Sequence, residues 1–396
     1  MESAKRNRQL FLDKEFVATL ALAKEGILAP VDRLMNKHEA KEVEETGHFR
    51  GKPFPFPFII APSGEKNKEV LTTAYQGEPL DFIVDGKIKG TITVDEVFEV
   101  DRHKRIEQLF GSNDASNPDI QTFMKRLGDV AVCGDYTLEF DEIKQVKEKI
   151  AHAKAELGAK NISAMMINAK PFHRAHERVI RITLEKCDML IIFLLKPYKK
   201  DLIPYELRFK ALQYFVDNYL PKNRVIIVPF ENTYLFSSYK NAILDSICAH
   251  NFGCNKLVLS QNHSGIGAYF DNNETKSILD QYEDLDIEVE LLAEFVYCNE
   301  CKTLVSVNTC PHGSHHHIKY HAQSLLELLK AGMLPPAIFM RKDISAILLS
   351  EMFKNRFENI SKIYDAIFPN SGLLEAHDER EFYLELMRLH QTTSLT

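Results

Sequence analysis

The chain has 396 residues, 45% of them apolar and 27% charged, enough for two or three packed domains. A net charge of -7 leaves no basic excess for nucleic acid or an anionic membrane surface, so a small molecule is the default partner. Residues 1–11 lack the apolar stretch of a secretory signal, and the longest apolar run, 189–195, is seven residues against the about 20 that span a bilayer, so the expectation is a cytoplasmic protein with no membrane and no nucleic-acid partner.

Residues 1–158 read as a mixed, β-rich first domain. Strands are expected over 82–85 and 90–100, where Ile, Val, Phe and Thr alternate between Gly and Asp turns. Pro53, Pro55 and Pro57 alternate with Phe54, Phe56 and Phe58, an extended segment that as strand fits only an edge or a bulge.

From residue 159 to 296 short β-rich runs alternate with longer helical stretches. Strands are expected over 162–167, 189–195, 225–228, 257–260 and 287–291, with helices over 174–186, 205–218, 239–251 and 274–282. Such alternation implies a parallel, doubly wound sheet, and a doubly wound sheet binds ligands beyond the carboxyl ends of its strands. The loops after Ile167, Leu195, Val228 and Ser260 are therefore the functional ones. No G-x-x-x-x-G-K-S or G-K-T phosphate loop occurs anywhere in the chain.

Residues 297–396 form a small third domain, with helices expected over 323–331, 342–354 and 379–389. It opens on Cys298-x2-Cys301-x8-Cys310, followed by His312 and by His315, His316 and His317. These are the ligand types and spacing of a closed tetrahedral zinc site, which is structural when all four ligands are protein. We expect Cys298, Cys301, Cys310 and His315 as ligands, with His315 ahead of His312. Cys133, Cys187, Cys248 and Cys254 are scattered, so reduced thiols plus one metal site fit better than a disulfide framework.

Two loops concentrate polar chemistry. His173 and His176 sit three apart where the first central strand ends and a helix begins, so both can face one ligand. A helix N-terminus suits phosphate oxygens, and imidazoles there can donate to charge developing on a transferring phosphoryl group. The bland alternatives are coincidence or a metal pair. The second loop, Gln261-Asn262-His263-Ser264-Gly265-Ile266-Gly267, joins side-chain donors to two glycines that permit close backbone approach. Lys196, at the second strand end, is a further candidate, whereas Arg208 is taken as structural.

Pro171-Phe172-His173-Arg174-Ala175-His176-Glu177 resembles the Q-x-R-N-P-x-H-x-x-H signature of the ATP sulfurylase family, and Asn262-His263-Ser264-Gly265 the end of its G-R-D-H-A-G loop. Gly26-Ile27-Leu28-Ala29-Pro30, Phe110-Gly111-Ser112-Asn113-Asp114, Lys196-Pro197 with Arg208, and Lys330-Ala331-Gly332 through Pro335-Pro336 match further family segments in order along almost the whole chain. The resemblance implies a PUA-like N-terminal domain, a Rossmann-like nucleotidyltransferase domain and a small, mainly helical C-terminal domain, with a Cys3His zinc site known in several bacterial members. It implies the conversion of MgATP and sulfate to adenosine 5'-phosphosulfate and pyrophosphate in a homo-oligomer, with Mg²⁺ arriving on ATP. His173 and His176 would be catalytic, and Asn168, Lys170, Lys196, Gln261, Asn262, His263 and Gly265 would bind ATP and sulfate.

The departures are specific. The signature's Gln, Arg and Asn are here Ile167, Ala169 and Lys170, and the second loop's Arg and Asp are Gln261 and Asn262, so both motif arginines are gone. Neither Gln nor Ala replaces a fixed, always-charged fork. Three readings stand: sulfate adenylylation, adenylylation of another oxyanion or phosphorylated acceptor, and a non-catalytic ATP-binding relative. A cation at the sulfate position, Lys170 or Lys196, separates the first from the last.

Overall fold

The computed structural model describes residues 7–112, 114, 116–198, 202–237, 240–260, 279, 282, 284–369 and 376–392. In the N-terminal segment, β1 (Arg8–Phe11) leads into α1 (Lys14–Lys24), whose N-cap Asp13 accepts from the Phe16 N–H. Next come α2 (Lys37–Thr46), β2 (His48–Phe49), β3 (Lys52–Pro53), β4 (Ile60–Pro62) and α3 (Glu65–Thr72). They are followed by β5 (Pro79–Val84), β6 (Lys87–Glu99), α4 (Arg102–Phe110), α5 (Pro118–Arg126) and β7 (Leu127–Leu138).

Five of these strands form one sheet in the order β1-β5-β6-β7-β4. It is antiparallel except where β1 runs parallel to β5. Where β6 and β7 pair, the register shifts between Val94 and Glu96 opposite Gly134, and a Cβ on Gly134 would lie 1.9 Å from the Thr93 carbonyl oxygen. Only glycine fits that bulge. The Pro/Phe alternation forms no strand past Pro53, since proline cannot donate to a ladder, and instead buries Phe54, Phe56 and Phe58. The sequence reading missed the helices here. In α1 every residue from Phe16 to Ala23 is buried, so no polar face marks a helical period.

The chain continues through α6 (Glu142–Leu157), closed by Gly158 at φ 64°, into β8 (Ile162–Ile167), α7 (Arg174–Leu184), β9 (Met189–Pro197), α8 (Tyr205–Tyr219) and β10 (Val225–Asn232). Then come a 3-10 turn at Tyr234–Ser237, α9 (Asn241–Asn251), β11 (Lys256–Ser260) and β12 (Glu288–Leu292). The sheet order is β10-β9-β8-β11-β12, with β11 parallel to β8 through Lys256↔Ser163. This is the Rossmann-like order 3-2-1-4-5, which reverses beside β8, so the loop leaving β8 opens at the switch point. The helix expected over 274–282 lies almost wholly outside the described residues.

The C-terminal part begins with β13 (Phe295–Cys298) and β14 (Thr303–Ser306), then a 3-10 turn at Ser314–His316 and β15 (His317–Ile318), in a small sheet ordered β14-β13-β15. Four helices follow: α10 (Ala322–Lys330), α11 (Lys342–Met352), α12 (Ile360–Ile367) and α13 (Glu379–Thr392). Among the described residues no helix is long and apolar enough to cross a membrane.

Contacts divide the chain into two compact units, one of Met1–Met165, Lys196–Tyr198 and Pro229–Leu291, the other of Met166–Leu195, Lys199–Val228 and Leu292–Thr396. In the first, the Tyr136 hydroxyl donates to the Leu20 carbonyl at 2.9 Å, and the Arg126 guanidinium holds Asp13 at 2.7 Å and also Glu15. The second has Phe172, Phe193 and Phe215 among its largest fully buried side chains.

Candidate functional site

All six residues of β8 are buried, and the loop it delivers turns sharply at Ala169, which adopts a left-handed φ of 50°. The loop is hung on Arg208 of α8. This arginine is 1% exposed and donates to the carbonyls of Asn168 at 2.6 Å, Leu195 at 3.0 Å and Ile203 at 3.1 Å. Its guanidinium faces main-chain oxygens, the structural reading. Asn168 also turns its side-chain oxygen to Arg208, at 3.3 Å. Ile167 and Ala169 are buried and uncharged, leaving Lys170 as the loop's cation.

His173 is the N-cap of α7, in extended backbone, with His176 one turn on. The two imidazoles lie with ring centroids 3.8 Å apart, and the His173 N–H donates to Nδ1 of His176 at 3.2 Å. His176 stacks on Phe172, with ring planes 14° apart and centroids at 5.6 Å. His173 is 8% exposed, and its Nδ1 has no hydrogen-bond partner among the described residues. Burial holds both rings neutral: His176 is pushed down to about 4, and His173 falls well below the ordinary range through burial and the His176 ring beside it. Neutral imidazoles can donate to an anion but bring no charge of their own. The helix start is less open than expected, because the Arg174 N–H already donates to the Phe339 carbonyl at 2.8 Å.

A wall of residues from 320 to 341 backs this turn, and the sequence reading did not find it. The Tyr320 ring lies 5.4 Å from His173 and its hydroxyl donates to the Ile338 carbonyl at 2.6 Å. Arg341 donates to the buried Glu177 at 2.8 Å. Glu177 closes the quoted motif and meets Arg174, three residues back, at 3.3 Å, but Arg341 is 164 residues away and no spacing signals that pair.

Lys196 also differs from a free anion ligand. Its Nζ lies 3.1 Å from Oε1 of Glu231, whose Oε2 accepts from the Tyr198 hydroxyl at 2.5 Å, and Glu231 is 4% exposed. Burial and the Glu231 charge push the Tyr198 phenol well above its usual range. The lysine charge is thus neutralised by a buried carboxylate that carried no sequence signal. Gln261, Asn262, His263 and Gly265 lie outside the described residues.

Cys298, Cys301, Cys310 and His312 bring their ligand atoms within 4.8 Å of one another. Nδ1 of His312 lies 3.5 Å from the Cys298 sulfur, 3.3 Å from Cys301 and 3.7 Å from Cys310, while the Cys301 and Cys310 sulfurs are 3.9 Å apart. A tetrahedral zinc with Zn–S near about 2.3 Å sets ligand edges of roughly 3.5–3.8 Å, so the donor set fits. The Cys301 N–H donates to the Cys298 sulfur at 3.4 Å, which orients that ligand. The fourth member is His312, not the expected His315. Two residues after Cys310, His312 folds back onto the sulfurs, whereas His315 sits in the 3-10 turn against the His316 ring, centroids 4.0 Å apart.

Comparisons with known proteins agree with this architecture. A family model described as ATP-sulfurylase matches residues 141–351, and one described as a PUA-like domain matches 1–139. The chain is 27% identical over 379 residues to a sulfate adenylyltransferase of Psychrobacter sp. (strain PRwf-1), covering 91% of this chain and 88% of the relative. It is 27% identical over 349 residues to one from Chloroflexus aurantiacus, covering 86% and 90%. Among solved structures, a hexameric APS kinase from Thiobacillus denitrificans matches with a TM-score of 0.63 at 15% identity, over 87% of this chain and 63% of that one. That likeness speaks to fold, and this chain spans less than two thirds of that protein.

Proposed function

The chain belongs to the ATP-sulfurylase family of nucleotidyltransferases, and from that premise we propose that it is a sulfate adenylyltransferase, converting MgATP and sulfate to adenosine 5'-phosphosulfate and pyrophosphate. The reading divides the chain into an N-terminal domain over 1–158, a catalytic domain over 159–296 and a zinc-bearing domain over 297–396. The observation that carries it is the pair of buried, neutral histidines at the switch-point end of β8.

In this reaction a sulfate oxygen attacks the α-phosphorus in line while the bond to the bridging oxygen breaks and pyrophosphate leaves with the electron pair. The protein's work is positioning and charge stabilisation, without a covalent intermediate. With Nδ1 of His176 accepting from the main chain, its proton sits on Nε2, a donor for phosphate oxygen. His173 supplies the second ring. Lys170 is the cation of the loop that precedes these rings, and Gln261, Asn262, His263 and Gly265 would complete the ATP and sulfate contacts. Mg²⁺, arriving with ATP, would neutralise phosphate charge. Zinc held by Cys298, Cys301, Cys310 and His312 would be structural.

A second reading has one observation in its favour. Lys196 is paired with Glu231 and position 169 is alanine, so the charge that suits a sulfate dianion is reduced, which favours an acceptor that brings hydrogen-bonding groups of its own. Purified protein incubated with MgATP, sulfate and pyrophosphatase, beside a His173→Ala control, separates the two. Sulfate-dependent phosphate release lost in the control supports the first reading. ATP binding without sulfate turnover overturns it.

A further inference from the structure

Two independent routes lead from one residue to the histidine pair. The first is ionic: Nε of Arg341 donates to Oε2 of Glu177 at 2.8 Å, and Glu177 directly follows His176 in the first turns of α7. The second runs through rings. The Arg341 guanidinium lies 3.9 Å from the Tyr219 centroid and 5.7 Å from that of Phe215; Phe215 packs on Phe172 at 5.1 Å; and Phe172 stacks on His176. The Tyr219 hydroxyl donates to Asp343 at 2.7 Å, which fixes the ring under the guanidinium. Arg341 is thus packed on one side and hydrogen-bonded on the other.

We propose that Arg341 is a positioning residue for His173 and His176, holding the first turn of α7 so that both imidazoles meet the nucleotide phosphates in one fixed geometry. It touches no reacting atom. The proposal rests on the adenylyl-transfer reading for what the histidines do, but the placement of the rings is measurable without it. The reason for arginine is geometric: its planar group covers an aromatic face while Nε points along its edge at a carboxylate, and the compact ammonium of lysine matches neither feature well. Small errors in such placement are costly, since a displacement near about 1 Å can lower a rate roughly a hundredfold.

The test uses the full chain as Arg341→Met, Arg341→Lys and the double variant Glu177→Gln/Arg341→Met. The double variant guards against misfolding, because removing Arg341 alone leaves the buried Glu177 carboxylate to the more distant Arg174, at 3.3 Å. With MgATP and sulfate we expect Arg341→Met and the double variant to lose at least about tenfold in kcat, with KM for MgATP held within about threefold, and Arg341→Lys to recover part of the loss. Histidine side-chain ¹⁵N spectra give the second readout: His176 should show the single Nε2–H tautomer in the wild type and a mixture in the double variant. A folded double variant with unchanged kcat and unchanged ring spectra overturns the proposal. Wild-type protein inactive on sulfate would count against the acceptor alone, and the ring spectra would still decide the role of Arg341.

Discussion

The His173 main-chain N–H donates to Nδ1 of His176 at 3.2 Å, and this one bond decides which nitrogen of His176 carries the proton. An asparagine at 176 keeps an acceptor near Nδ1 but loses the distal donor, whereas a glutamine can reach the distal position. His176→Gln should therefore stay within about tenfold of the wild-type kcat, while His176→Asn loses roughly 10²–10³, as expected when a donor to developing charge is removed. Equal losses in the two variants would show that the distal proton is not used.

The same burial makes stability depend on pH with a definite sign. Folding lowers the pKa of both rings, so their contribution is fully present above the unfolded value of about 6.5 and is lost as pH falls toward about 4 for His176, and further for His173. For His176 alone the loss is on the order of 3 kcal/mol. Urea midpoints measured from pH 7 to 4.5 should fall less steeply for His176→Gln than for wild type, and parallel curves would refute the assignment.

Metal content should separate the two candidate histidines. His312→Ala removes one of four converging donors and should release zinc on dialysis with a marked fall in Tm, whereas His315→Ala should keep stoichiometric metal. Zinc retained by His312→Ala but lost from His315→Ala would reverse the ligand assignment.

In the N-terminal sheet, Gly134→Ala forces a Cβ to 1.9 Å from the Thr93 carbonyl oxygen, and should cost about 2–4 kcal/mol. Gly77 is the control: its φ of 85° is left-handed but nothing lies within 4 Å of an added Cβ, so Gly77→Ala should cost only about 1 kcal/mol. Chemical denaturation of both variants measures the difference.

How far these features could be read from residues alone depended on whether their partners were local. Strand Ile162–Ile167 was bounded correctly because its apolar run ends at polar loop residues and the helix after it has one buried face. The histidines and the three cysteines were visible for the same reason, each set lying within a few residues. Helix α1, apolar on every side, showed no period. Arg341, Tyr320 and Glu231 act through contacts that cross 35 to 164 residues, and no local pattern marks such a pair. Spacing alone admits either His312 or His315 as the fourth ligand, and the fold brings together the one close enough to Cys310 to turn back on the sulfurs.

Arg208 grips the β8 loop by the backbone carbonyl of Asn168 and ties it to the carbonyls of Leu195 in β9 and Ile203 ahead of α8, atoms that every amino acid carries. The route of the chain past the strand ends therefore does not depend on which side chains it displays there. The loop carries isoleucine at 167, alanine at 169 and lysine at 170 while the same carbonyl grip holds it in front of the histidines. Such a scaffold separates the means of activating a nucleotide from the choice of what receives it, and so leaves the acceptor open to evolutionary change at little cost to the fold.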